Sequence, residues 1–120
     1  MEGLDAYEYE GPQYRRLFAS DGWRVAILNH GELFAEGGPK YIERHLGTDE
    51  VFVLLEGSAV LMIGENVERV RLERGRIYNV HRGVWHQVET MPGTKLLIVE
   101  NDDTGPENSE KRFLQRSEGM

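Results

Sequence analysis

Two histidines and a glutamate, His45, Glu50 and His86, carry the chemistry of this sequence. His45 and Glu50 stand in an H-x4-E-x6-G block that closes on Gly57, and His86 ends a G-x7-G-x2-H block built on Gly75 and Gly83. Imidazole and carboxylate together form a mixed nitrogen and oxygen donor set for a divalent metal such as Mn, Fe or Zn. On a strand, residues two apart point the same way. Glu43 therefore shares the face of His45 and adds a second carboxylate, and Tyr41 lies on that face as well. The candidate metal ligands are Glu43, His45, Glu50 and His86. Glu43 is equally a candidate general base, and Tyr41 a candidate hydrogen-bond donor to a bound molecule or a plug for one end of the fold. Without a metal, the same side chains would form a buried hydrogen-bonded network.

These residues meet only if distant strands fold back on one another, and the sequence around them reads as strands. Residues 23–28, 41–45, 51–55, 58–63, 67–72, 77–80, 85–89 and 95–100 are short apolar or alternating runs separated by turn residues. Gly64-Glu65-Asn66 reads as a hairpin turn, and Met91-Pro92-Gly93-Thr94 as another. No segment of ten residues keeps a helical apolar period. About eight strands with regular turns predict an all-β sandwich or barrel. Phe52 and Leu54 share parity with Glu50 and are expected in the pocket wall. Trp85 should face away from His86, into packing, and Trp23 is expected in the core. His81 and His30 read as turn or surface residues.

The two blocks resemble the paired motifs of the cupin superfamily. The first family motif is G-x5-H-x-H-x3-4-E-x6-G. Gly37 or Gly38 stands near its opening glycine, Glu43-Arg44-His45 at its histidine pair, Glu50 at its acid and Gly57 at its closing glycine. The second is G-x5-P-x-G-x2-H-x3-N. Gly75, Gly83 and His86 match it, with His81 at the proline and Thr90 at the asparagine. The resemblance covers about residues 37–100 and implies a cupin-type jelly-roll β-barrel, often dimeric, with a metal at its centre. It departs from the family at Glu43, where a histidine is usual. That change makes the implied site harder and more negative, or else frees Glu43 for acid–base work without a metal.

Size and composition bound the rest. A chain of 120 residues is one domain, expected as a core over about 23–101, an N-terminal extended arm or weak edge strand over 1–20, and a polar tail over 102–120 with one short helical turn or strand near 111–114. It has no cysteine, which excludes thiolate metal sites and thiol nucleophiles and suits a cytoplasmic protein. The net charge of −7 argues against nucleic acid and anionic membranes as partners. No apolar run is long enough to cross a bilayer. The expected partners are a small-molecule ligand and a second copy of the chain, since residues 51–55 are apolar on both faces. Isomerase, lyase, hydrolase or dioxygenase chemistry on a keto or hydroxy acid or a sugar-like compound fits the metal reading. A non-catalytic binding or sensing module is the alternative.

Overall fold

The computed structural model describes residues 2–114 and is all-β among them. Its strands are β1 (Gln13–Ser20), β2 (Trp23–Asn29), β3 (Tyr41–His45), β4 (Glu50–Glu56), β5 (Ala59–Ile63), β6 (Glu68–Arg71), β7 (Ile77–Val80), β8 (His86–Thr90), β9 (Lys95–Asn101) and β10 (Ser109–Phe113). They form two five-stranded sheets, ordered β1-β2-β9-β4-β7 and β10-β3-β8-β5-β6. Every strand pairing within them is antiparallel. This is consistent with the jelly-roll expectation. No helix among the described residues is long and apolar enough to cross a membrane.

Period-two alternation builds the core. On β9 the buried residues are Leu96, Ile98 and Glu100, and on β4 they are Glu50, Phe52 and Leu54. Leu28 of β2 joins them from the same sheet, while Ala59, Leu61 and Val88 come from the other. The hydrophobic cluster therefore fills the space between the sheets. The folded part reaches beyond 23–101 on both sides. β1 pairs with β2 along the whole strand, and β10 pairs with β3 from Ser109 opposite His45 to Phe113 opposite Tyr41. The first of these makes an edge strand from part of the expected arm, and the second a strand from part of the expected tail. Residues 115–120 of that tail lie outside the described residues.

Trp23 departs from its expected place in the core. It opens β2 at 41 % exposure and packs edge-on against Phe18, 5.8 Å away. A strand end on the rim of a sheet leaves one side of an indole in water. His30 is half-buried rather than a surface residue, and its Nδ1 lies 2.9 Å from Thr90 Oγ1. Trp85 meets the expectation by packing against Arg44, whose guanidinium sits 4.5 Å from the ring centre.

Two glycine turns of the motifs are tied down differently. Gly57 has φ +81, and a Cβ there would stand 2.6 Å from Thr94 Cα, a backbone clash. Gly83 has the same φ of +81 but open space around it. Gly57→Ala is therefore expected to cost at least about 2 kcal/mol, the sum of left-handed strain and displaced backbone, against about 1 kcal/mol for Gly83→Ala. Chemical denaturation of the two variants checks this. Equal losses would show that the contact with Thr94 does not matter.

Candidate metal centre

β3 and β8 are five-residue strands that share only one register pair, Glu43 opposite His86. The remaining gap is bridged by Gln87, whose side-chain amide donates to Tyr41 O at 3.4 Å and accepts from Val88 N–H at 3.0 Å. The Gly83 amide donates to His45 O at 2.8 Å, which locks the turn before β8 onto the end of β3. Asp49, just ahead of β4, accepts from the Arg82 amide at 2.8 Å and from Asn79 Nδ2 at 3.0 Å. These bonds hold the loops carrying His45, Glu50 and His86 against one another.

The structure brings His45, Glu50 and His86 together, all buried, with one ligand atom from each within 4.8 Å of the others. Glu50 Oε1 lies 3.0 Å from His45 Nε2 and 2.8 Å from His86 Nε2. The two imidazoles meet edge to face with centroids 5.3 Å apart, and Phe52 packs edge-on against His86 at 5.8 Å. His86 Nδ1 donates to Val84 O at 3.0 Å, so Nε2 is the nitrogen aimed at the site. His45 Nδ1 is held by Ser109 Oγ at 2.8 Å. Anchoring one ring nitrogen so that the other points inward is how metal-binding histidines are oriented.

Glu43 lies outside this tight group. Its Oε1 is 4.0 Å from His45 Nε2, and its side chain is partly open to solvent. It lines a cavity of about 520 Å³ together with Tyr41, Phe52 and Lys111. Tyr41 is placed as expected on the His45 face. Its ring meets Phe113 at 6.0 Å and carries Lys111 Nζ 4.4 Å from its centre. Leu54 belongs to the core cluster, not to the cavity wall.

Among the cavity residues that lie outside the motifs, Tyr14, Arg24 and Glu100 form one bonded group. Arg24, itself partly buried, forms an ion pair with the buried Glu100 Oε1. Arg24 Nε also donates to Tyr14 Oη at 3.0 Å, and Tyr14 Oη lies 3.4 Å from Glu100 Oε1. Strand parity is the signal that finds them. Glu100 follows Leu96 and Ile98 on the buried face of β9, and Arg24 precedes Ala26 and Leu28 on that of β2.

The electrostatics follow from burial. Desolvation works to raise the Glu50 pKa, but hydrogen bonds from His45 and His86 outweigh it and hold the carboxyl well below its ordinary value. Desolvation works to lower both histidines, and the hydrogen bond and charge of Glu50 outweigh it and raise them. Glu100 is pushed up to about 7 by burial, then by the charge of Glu50 and a hydrogen bond with it, while Arg24 pulls the other way. Two neighbouring buried carboxylates disfavour double ionisation, so without a cation Glu100 takes the proton.

The pH dependence of the chelated protein follows. Glu100, raised from 4.5 to about 7, stabilises the fold fully below its unfolded value, and this is lost as pH rises through about 7. The histidines, raised above 6.5, add losses of the same sign at higher pH. Glu50 acts oppositely, stabilising above 4.5 and failing only in strong acid. Melting of protein held in chelator should show Tm falling by about 5 °C or more from pH ~5.5 to ~8.5. A rising Tm over that interval would contradict this assignment.

No protein family matches the chain, and no curated protein matches it in sequence. Solved structures do match in fold. A cupin-2 domain-containing protein from Shewanella frigidimarina aligns at TM-score 0.60 and 19% identity, over 78% of this chain and 84% of that one. The polyketide cyclase RemF from Streptomyces resistomycificus aligns at TM-score 0.65 and 19% identity, over 85% of this chain and 71% of that one. The Fe(II) form of HppE aligns at TM-score 0.60 and 16% identity, over 73% of this chain and 50% of that one. With two antiparallel sheets enclosing a buried His-Glu-His group, this chain is a small cupin-fold domain.

Proposed function

We propose that this chain is a metal-dependent cupin that binds a small polar molecule in its cavity and acts on it with a divalent ion. The observation that carries this reading is the convergence of His45, Glu50 and His86 within 4.8 Å. The donor set fits such an ion: two oriented imidazoles and a carboxylate suit Mn, Fe or Zn. A bound ion would supply polarisation of a substrate carbonyl or activation of a coordinated water or dioxygen. The apolar wall from Leu28, Phe52, Val88 and Ile98 excludes water around that centre.

At the solvent side, Glu43 stands ready to accept a proton from a bound molecule. Tyr41 would donate a hydrogen bond to it, with Lys111 over the Tyr41 ring to attract an anionic group. A keto or hydroxy acid or a sugar-like diol offers the chelating oxygens and the acidic proton that this arrangement suits. Two of the matched structures are enzyme and iron proteins by description, a polyketide cyclase and an Fe(II) protein, which supports an enzymatic reading.

Chelator-stripped protein, incubated anaerobically with Mn2+, Fe2+ or Zn2+ and desalted, should retain about one ion per chain by elemental analysis. Retention of none of the three would end the metal reading and leave a metal-free binding module or Glu43-dependent acid–base catalysis.

A further inference from the structure

Glu100 is more than nine-tenths buried, at 6 % exposure, yet no N–H or O–H donor of the described residues reaches its Oε2, and it bonds to the neighbouring Glu50 carboxylate only by taking a proton. An unsatisfied buried carboxylate oxygen is costly. Its other oxygen is held. Oε1 is ion-paired with Arg24, and Arg24 is itself anchored by the carbonyls of Asp102 at 3.2 Å and Thr104 at 3.4 Å. The carboxylate is therefore clamped on one oxygen and open on the other. The open oxygen lies 4.0 Å from His45 Nε2, the same distance as Glu43 Oε1 and likewise just outside the tight group of His45, Glu50 and His86, but unlike Glu43 it is buried. Two atoms bound to one ion at about 2.0–2.2 Å stand roughly 3–4 Å apart, so this spacing is that of fellow ligands.

We propose that Glu100 Oε2 is a ligand to the divalent ion beside His45, Glu50 and His86, with Arg24 as the residue that positions it. This rests on the metal reading above. It supplies from β9, outside both sequence motifs, the donor that the first motif lacks at Glu43. It also leaves Glu43 free at the solvent side of the cavity for the bound molecule. Two carboxylates would neutralise the ion and favour hard, oxygen-preferring metals such as Mn2+.

The test compares wild type, Glu100→Gln and Glu43→Gln after chelation. Mn2+ and Zn2+ binding is read by calorimetric titration, and thermal unfolding is followed in excess chelator. Glu100→Gln should weaken Mn2+ binding by about 100-fold or more, beyond the loss typical of residues that merely orient ligands. Glu43→Gln should stay within about threefold of wild type. In chelator, Glu100→Gln should melt within about 5 °C of the wild type, because the amide oxygen still accepts from Arg24, which keeps its bonds to the Asp102 and Thr104 carbonyls. Unchanged Mn2+ affinity in Glu100→Gln, with wild type binding normally, would overturn this proposal alone. So would a larger loss in Glu43→Gln, or a metal-free Glu100→Gln melting well below wild type, which would make Glu100 a structural partner of Arg24. Failure of the wild type to bind either ion would overturn this proposal together with the metal reading.

Discussion

His86→Ala is expected to empty the metal centre while the domain stays folded. His86 presents Nε2 to the site because Val84 O holds Nδ1, and no other imidazole but that of His45 lines the cavity. Alanine removes one of two nitrogen donors, and its cavity cannot be refilled by a neighbour of the same chemistry. Ion affinity should fall by at least about 100-fold, more than the loss of a residue that only orients a ligand. The metal-free fold should lose only about 1–3 kcal/mol, because Glu50 keeps its bond to His45 at 3.0 Å. Elemental analysis and a circular-dichroism melt separate the two effects. His81→Ala, at an exposed turn, should change neither. Full occupancy in His86→Ala would remove this residue from the centre.

Arg24→Met should be the most destabilising single change outside the apolar core. It deletes the guanidinium that pairs with Glu100, donates to two carbonyls and touches Tyr14, while methionine keeps much of the volume. Breaking an ion pair from one side strands the buried Glu100 charge, which should cost about 2–4 kcal/mol for a pair whose other member is partly solvated. The cost should depend on pH with a definite sign. Glu100, already raised to about 7 with Arg24 present, would rise further without it. Near pH 5 the carboxyl enters the fold neutral, so the loss should be markedly smaller than near pH 8. Urea unfolding at both pH values measures this. Arg24→Met combined with Glu100→Gln should recover most of the loss at pH 8, because the stranded charge is gone. A loss below about 1 kcal/mol, or one equal at both pH values, would show that Glu100 does not depend on Arg24.

Much of the fold was legible because strand formation is a local matter. Residues 41–45 and 77–80 read as strands from their composition and turn flanks, and they are strands with those bounds. The six other expected strands appear with ends shifted by a residue or two, as pairing partners rather than propensity set where a ladder stops. The site was legible for the same reason. His45, Glu50 and His86 lie at strand ends beside glycine turns, where two-residue periodicity and turn geometry together specify direction.

What escaped reading was charge on the inward face. Arg24 and Glu100 sit at positions that parity assigns to the core, but a charged residue near a strand end reads equally well as solvated. Trp23 erred in the other direction, since a large apolar residue reads as core although a rim position exposes it.

The sequence by itself determined where strands run and turn, and which side chains share a face, since these depend on steric rules spanning a few residues. Tertiary structure decided between the open alternatives for both ends, making β1 and β10 strands that complete the sheets, and it alone decided that Arg24 meets Glu100 across 76 residues of chain. It also decided that one oxygen of Glu100 stands 4.0 Å from His45 Nε2 with no N–H or O–H donor. Partners and burial are properties of the assembled sheets, and the free energy of a buried charge has no value until its surroundings exist.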